Sequence, residues 1–206
     1  MRDRIAAVGR SVFDRGLTAG STGNISVRLS DGSMLMTPTN ASLGALDPAR
    51  LSLLGADGAH VSGDPPTKEA FLHSCMYCAR PGDRAVVHLH SPHSVAVSLL
   101  DGIDPANALP PLTAYQVMRV GRLPLVPYFA PGDARLAEAV AEHSARHHAV
   151  LLANHGPVVA GATLEEAQYA VEELEETAKL FLLLGDRKPR LLTAEQVAEL
   201  ERRFGR

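Results

Sequence analysis

Two histidines one residue apart, His88 and His90, close the run AVVHLHS at 85–91, which is built of apolar, strand-forming residues. Side chains on a strand alternate faces, so both imidazoles leave on the same side, a few ångströms from each other. That is a ready-made pair of metal ligands, although two histidines at the solvated end of a buried strand share the spacing. His155 interrupts two apolar runs in AVLLANHGPVVAG (149–161), with Gly156 and Pro157 behind it to turn the chain. It is either a satisfied core histidine or a third ligand.

A carboxylate and two polar loops are the other chemical candidates. In DPPTKEAFLHSCMYCAR, Pro65 and Pro66 hold the chain extended, Thr67 can cap, and a helix over 68–79 puts Glu69 in its first turn. The helix dipole alone favours an acid there. His73, four residues on, shares that face; it either orients Glu69 or packs beneath it, and packing is expected. GSTGN (20–24) and TPTN (37–40) combine glycines with Thr22, Asn24, Thr39 and Asn40. Bare backbone N–H groups and small side-chain donors suit a phosphate, and they also make ordinary turns. Cys75 and Cys78 form one CxxC inside the 68–79 helix, without a second ligand pair, and read as two ordinary semi-buried thiols.

These residues need elements to hold them. Ile5, Val8, Val12 and Phe13 predict an amphipathic helix over 3–15, stopped by Gly16. Strands at 25–29 and 34–37 flank an Asp31-Gly32 turn, and a polar segment, 47–63, contains a second turn at Asp57-Gly58. After the strand carrying His88 and His90, a helix runs from Ser91 or Pro92 to Leu100, with His93 as a solvated or helix-start residue. A proline-rich connection leads to a short helix or strand around Tyr115, then to a short strand ending at Tyr128 and a turn by residue 133. A helix over 134–147 carries His143, His147 and His148 at its solvated end. Two strands follow within 149–161, then a helix to Leu184 opened by the capping box Thr163/Glu166, and a last helix capped by Thr193 and Gln196. The pattern predicts a layered α/β domain with a central sheet.

The chain has 206 residues, 46% of them hydrophobic and 21% charged, with a formal net charge of -3. That suits one domain, residues 1–206, burying roughly 70% of its unfolded surface. With no basic excess, nucleic acid is not expected as a partner. No apolar run approaches the ~20 residues that span a bilayer, and the N-terminal stretch is charged throughout, so no membrane is expected and the protein is read as cytoplasmic.

Taken together, GSTGNIS (20–26), MTPTN (36–40), PTKE (66–69), AVVHLHS (85–91) and ANHGPVV (153–159) resemble the class II aldolase/adducin family, over roughly residues 4–200. The resemblance implies a three-layer α/β/α sandwich with a mostly antiparallel sheet, and a homotetramer with sites between neighbours. It implies one divalent ion, usually zinc, on His88, His90 and His155, with Glu69 as acid/base that can also touch the metal. Thr22, Gly23, Asn24, Thr39 and Asn40, with Thr67 and Lys68 at the start of the Glu69 helix, match its phosphate cradle. Tyr115 lies where the aldolases place a tyrosine contributed across a subunit boundary.

TPTNASLGALDPARLS, SGDPPTKE, PLTAYQVMRVGRLPLVPYFAPGD and EELEETAKL resemble the branch acting on 3-oxo-tetronate 4-phosphates. The expected reaction is decarboxylation of that phosphorylated four-carbon sugar acid to dihydroxyacetone phosphate and CO2 through a metal-bound enediolate. A sugar-phosphate aldolase or 4-epimerase on the same site is the alternative. Where those two kinds of enzyme carry two serines before the glutamate, this chain has Thr67 and Lys68; the lysine meets phosphate, meets the substrate carboxylate, or is solvated. A non-catalytic scaffold like the adducin head shares the fold, and the joint presence of the three histidines and Glu69 argues against it.

Overall fold

Strand β1 (Asn24–Arg28) shows how the sheet separates core from chemistry: Ile25 and Val27 enter one apolar cluster, while the intervening Asn24 and Ser26 face the other way and are buried as well. The same alternation recurs in β5 (Ala85–His88), where Ala85 and Val87 face that cluster and Val86 joins the opposite one. The computed structural model describes residues 1–130 and 133–204.

Six further strands complete the sheet: β2 (Met34–Met36), β3 (Ser52–Leu54), β4 (His60–Ser62), β6 (Leu125–Val126), β7 (Ala149–Leu152) and β8 (Gly156–Gly161). Their order is β4-β3-β2-β1-β5-β8-β7-β6, antiparallel at every pairing except β6 with β7. Over one face lie α1 (Arg2–Asp14), α3 (Pro92–Ser98) and α6 (Leu164–Leu184), which bury Ile5, Val97 and Leu174 against Ile25, Val87 and Val159. Over the other lie α2 (Ala70–Ala79) and α5 (Arg135–Ser144), where Leu72, Met76 and Val140 meet Val86 and Val158. Helices α4 (Ala114–Arg119) and α7 (Ala194–Phe204) pack on each other at the periphery. The three-layer, mostly antiparallel α/β/α architecture is the one expected.

Several local expectations need correction. The segment read as polar, 47–63, holds β3, β4 and the 3-10 turn Pro48–Arg50, and a second 3-10 turn, Leu43–Ala45, precedes it. Helix α2 begins at Ala70, so Glu69 stands just outside it with φ -96° and ψ 14°. Strand β5 ends at His88, leaving His90 beyond it. Of the two alternatives for the Tyr115 element the helix is the one that forms, whereas the strand expected to reach Tyr128 is only Leu125–Val126. The turn predicted to follow includes residues 131 and 132, which lie outside the described residues. Helix α5 stops at Ser144, and His147 and His148 are half-buried beyond it; His148 Nδ1 lies 3.0 Å from the Ala160 carbonyl at the edge of β8. Among the described residues no helix is long and apolar enough to cross a membrane.

Helix α6 opens as predicted, with Thr163 Oγ1 accepting from Glu166 N at 3.1 Å. Thr163→Ala is expected to lower stability by about 1 kcal/mol, and Leu174→Ala, in the centre of the buried stripe, by about 2–5 kcal/mol; urea unfolding of the two variants measures both.

Candidate active site

His88 ends β5 with no solvent exposure, and its Nδ1 lies 2.8 Å from the Pro157 carbonyl. A carbonyl only accepts, so Nδ1 donates, and in the neutral ring Nε2 is left with a lone pair. That Nε2 is 3.3 Å from His155 Nε2, which is 3.1 Å from His90 Nε2. His155 sits in the tight β7–β8 turn, where its N–H donates to Leu152 O at 3.2 Å and Asn154 takes a φ of 58°. Gly156 follows with φ 150°, and a Cβ there would meet the Leu89 carbonyl at 2.3 Å. Any other residue would push the His155 turn away from the His88–His90 segment.

Glu69, the residue just before α2, closes the group. Its Oε1 lies 3.3 Å from His155 Nε2 and its Oε2 3.5 Å from His88 Nε2, while Asn24 Nδ2 donates to Oε2 at 2.7 Å. The ligand atoms of His88, His90 and His155 all lie within 4.8 Å of one another. Protons on all three nitrogens would collide and three bare lone pairs would repel; a cation resolves both, and three neutral imidazoles beside a carboxylate are a donor set that suits a divalent ion with open positions.

The electrostatics agree with that fit. Burial pushes His90 down to about 4, helped by His88 and His155, and burial with His88 takes His155 to about 4. Both rings are therefore neutral at pH 7. Burial works to raise the Glu69 carboxyl, but His88, the Asn24 hydrogen bond and His155 together hold it below its usual range. The segment after His90 is anchored separately: Glu175, buried on α6, accepts from the backbone N–H groups of His93 and Ser94 at 2.9 and 2.8 Å and from the Ser94 hydroxyl at 2.7 Å. His93 is thus a helix-start residue, as expected, and stands outside the trio.

A cleft of about 350 Å³ joins these groups to the two polar loops; Thr22, Gly23, Thr39, Asn40, Thr67 and Lys68 line it together with Glu69, His90 and His155. Lys68, Thr39 and Asn40 place side chains there that make no hydrogen bond or ion pair among the described residues. Thr22 is differently engaged, its hydroxyl donating to Ala19 O at 2.7 Å to hold the turn. Asn24 reaches the cleft, but its amide is directed at Glu69 and His73. Tyr115 is not brought in: it is 59% exposed on α4, beside Arg119, and does not line the cleft. A larger cavity, about 590 Å³ between α4 and α7, is lined by Pro111, Val117, Leu192 and Val197 and holds none of the three histidines.

Sequence inspection missed Ser26 and Tyr77, which bond to His73 and to each other behind Glu69. A signal was present, since Glu69, His73 and Tyr77 recur every four residues and Asn24 and Ser26 every two. Cys75 is half-buried and Cys78 is exposed, not semi-buried; both are free, and burial with the neighbouring Cys78 pushes the Cys75 thiol up to about 11.

Residues 3–182 match the model of the class II aldolase and adducin N-terminal domain. The chain belongs to that family. It is 52% identical over 200 residues to the 3-oxo-tetronate 4-phosphate decarboxylase of Escherichia coli strain K12, covering 97% of this chain and 94% of the relative. The crystal structure of YgbL from Escherichia coli superimposes with a TM-score of 0.94 at 52% identity, over 97% and 96% of the two chains. The L-fuculose phosphate aldolase of Escherichia coli strain K12 is 34% identical over 194 residues, 92% and 86% of the two chains. A class II aldolase is expected to use a divalent cation, and the donor set described above fits one.

In metal-free protein, both His90 and His155 are expected to stay neutral down to about pH 5 and to take up protons only as the pH falls toward 4. Ring resonances followed by NMR from pH 7.5 to 4 check this; titration near 6.5, the ordinary histidine value, is the contrary result.

Proposed function

We propose that this chain is a lyase that decarboxylates a 3-oxo-tetronate 4-phosphate to dihydroxyacetone phosphate and CO2. The observation that carries the reading is a single cleft lined by His90, His155, the Glu69 carboxylate and the Lys68, Thr39 and Asn40 side chains, with the buried His88 3.3 Å from His155. The 52% identity to a decarboxylase of that name supports the substrate.

His88, His90 and His155 would hold the cation, zinc by the nature of the donors, with Glu69 able to reach it. Once bound, that ion supplies positive charge for the oxyanion that develops as the carbon–carbon bond breaks. The chain's own residues do the rest. Lys68, Thr39 and Asn40, with Gly23 and Thr67, form the rim for the phosphate, and Lys68 is also placed to meet the substrate carboxylate. Glu69 is ionised at neutral pH and so begins as a proton acceptor. It takes the C2 hydroxyl proton; the C1–C2 bond then breaks, CO2 leaves, and the electron pair spreads from C2 onto the C3 oxygen. Glu69 returns the proton to C2, and solvent supplies the one that completes the new hydroxymethyl group.

In this reading the chain is one domain and works in the cytoplasm as a homotetramer, with Tyr115 reaching a neighbouring copy's cleft. Its exposure, and its absence from the lining of its own chain's cleft, support that reading. A sugar-phosphate aldolase is the second reading, favoured by the 34% identity to L-fuculose phosphate aldolase. An aldolase needs an acid for the departing aldehyde's oxygen, and Tyr115 would supply it; a decarboxylase has no such need.

CO2 release from a 3-oxo-tetronate 4-phosphate is expected, lost on chelation and restored by a divalent cation; aldehyde release from fuculose 1-phosphate in its place would establish the aldolase. Glu69→Gln is expected to bind substrate while turnover falls by roughly 10²–10⁴-fold, with solvent deuterium entering C2 of the product correspondingly slowly. Deuterium entry at the wild-type rate would remove Glu69 from the reaction.

A further inference from the structure

Behind Glu69 a file of polar side chains runs between α2 and β1, sealed from solvent. His73 and Ser26 have no exposure, and Asn24 and Tyr77 have 4% and 5%. Buried polar groups must satisfy one another, so the direction of every hydrogen bond can be worked out. An ionised carboxylate only accepts, so the group that Asn24 turns to Glu69 Oε2 at 2.7 Å is its NH2. The same NH2 also faces Thr67 Oγ1 at 3.3 Å.

Asn24 Oδ1 is left facing His73 Nε2. The amide oxygen only accepts, so His73 carries its proton on Nε2. Its Nδ1 then has a lone pair and accepts from the Ser26 hydroxyl at 2.7 Å, and Ser26 Oγ in turn accepts from the Tyr77 hydroxyl at 2.8 Å. Full burial holds the His73 ring neutral, at a pKa of about 3, as this pattern requires. The bonds all point one way, from Tyr77 through Ser26, His73 and Asn24 to Glu69.

An asparagine amide can turn over and exchange its oxygen for its nitrogen with almost no change in shape. Turned over, Asn24 would set an oxygen against the Glu69 carboxylate. His73 opposes that orientation as long as its proton sits on Nε2, which requires an acceptor; the turned-over amide would need that proton moved to Nδ1 and the Ser26 hydroxyl redirected as well. We infer that His73 is a positioning residue, which acts through Asn24 to aim the Glu69 carboxylate at the histidine trio. It touches neither substrate nor cation. Packing, the role assigned to it from sequence, would be met equally well by any side chain of its volume.

The inference rests on the proposed reaction only for its kinetic consequence, and two substitutions separate the roles. Glutamine at this position keeps a donor where Nε2 was, within reach of Asn24 Oδ1. Asparagine keeps a partner for Ser26 but is too short to reach Asn24. His73→Gln is expected to keep kcat within a few-fold of wild type, whereas His73→Asn loses roughly 10–100-fold in kcat, the range for an outer partner of a site ligand, with KM little changed.

Equal kcat for the two variants, both shown to be folded by circular dichroism, would overturn the inference. A second measurement needs no turnover: ring ¹⁵N shifts of wild-type, metal-free protein are expected to show His73 protonated on Nε2 alone. Protonation on Nδ1 would overturn the inference even if neither variant folds. Absence of CO2 release by wild type would sink the decarboxylase reading, while the tautomer would still decide for or against His73.

Discussion

Two backbones have to pass unusually close for this cleft to exist. Gly156 lies where a Cβ would stand 2.3 Å from the Leu89 carbonyl, and Gly23 where one would stand 2.9 Å from the His88 carbonyl. Pressed from both sides, the segment from His88 to His90 has one path, and the imidazoles on it meet His155 at near hydrogen-bond distance. The pairing of β5 with β8 supplies the coarse alignment, His88 opposite Val158, and the two glycines supply the last ångström. Donors already held at such spacing would need little rearrangement to take up a cation.

The opposite side of the site is held by different means. Glu69 immediately precedes α2, on a different layer from the strands, and it makes polar contact with β1 through Asn24. Glu175 does similar work from the third layer, meeting the backbone just past His90 with both carboxylate oxygens. All three layers therefore converge on one point.

How much of this was legible in the sequence depended on whether a residue's partners lay along its own element. The α1, α6, β1–β2 and β7–β8 elements announce themselves, because each carries its own apolar period or turn residues. Strands β3, β4 and β6 do not. Every residue of β4 is exposed and β6 has two residues, so these strands exist because a neighbour offers backbone partners, which no local pattern records. His148 is half-buried for the same reason, being drawn against β8. The trio and Glu69 could be picked out by residue type and order, but the direction of the Asn24 amide could not, since its partners, Glu69 and His73, lie 45 and 49 residues away.

The file of bonds between α2 and β1 also bears on how the helix can move. Helices packed only by apolar side chains slide over a sheet by fractions of an ångström at small cost, because such contacts have little directional preference. Hydrogen bonds weaken steeply once misaligned, and Asn24, Ser26, His73 and Tyr77 pin α2 at successive points along its length. Directional bonds of this kind resist shear between helix and sheet, and so favour a constant spacing between carboxylate and imidazoles.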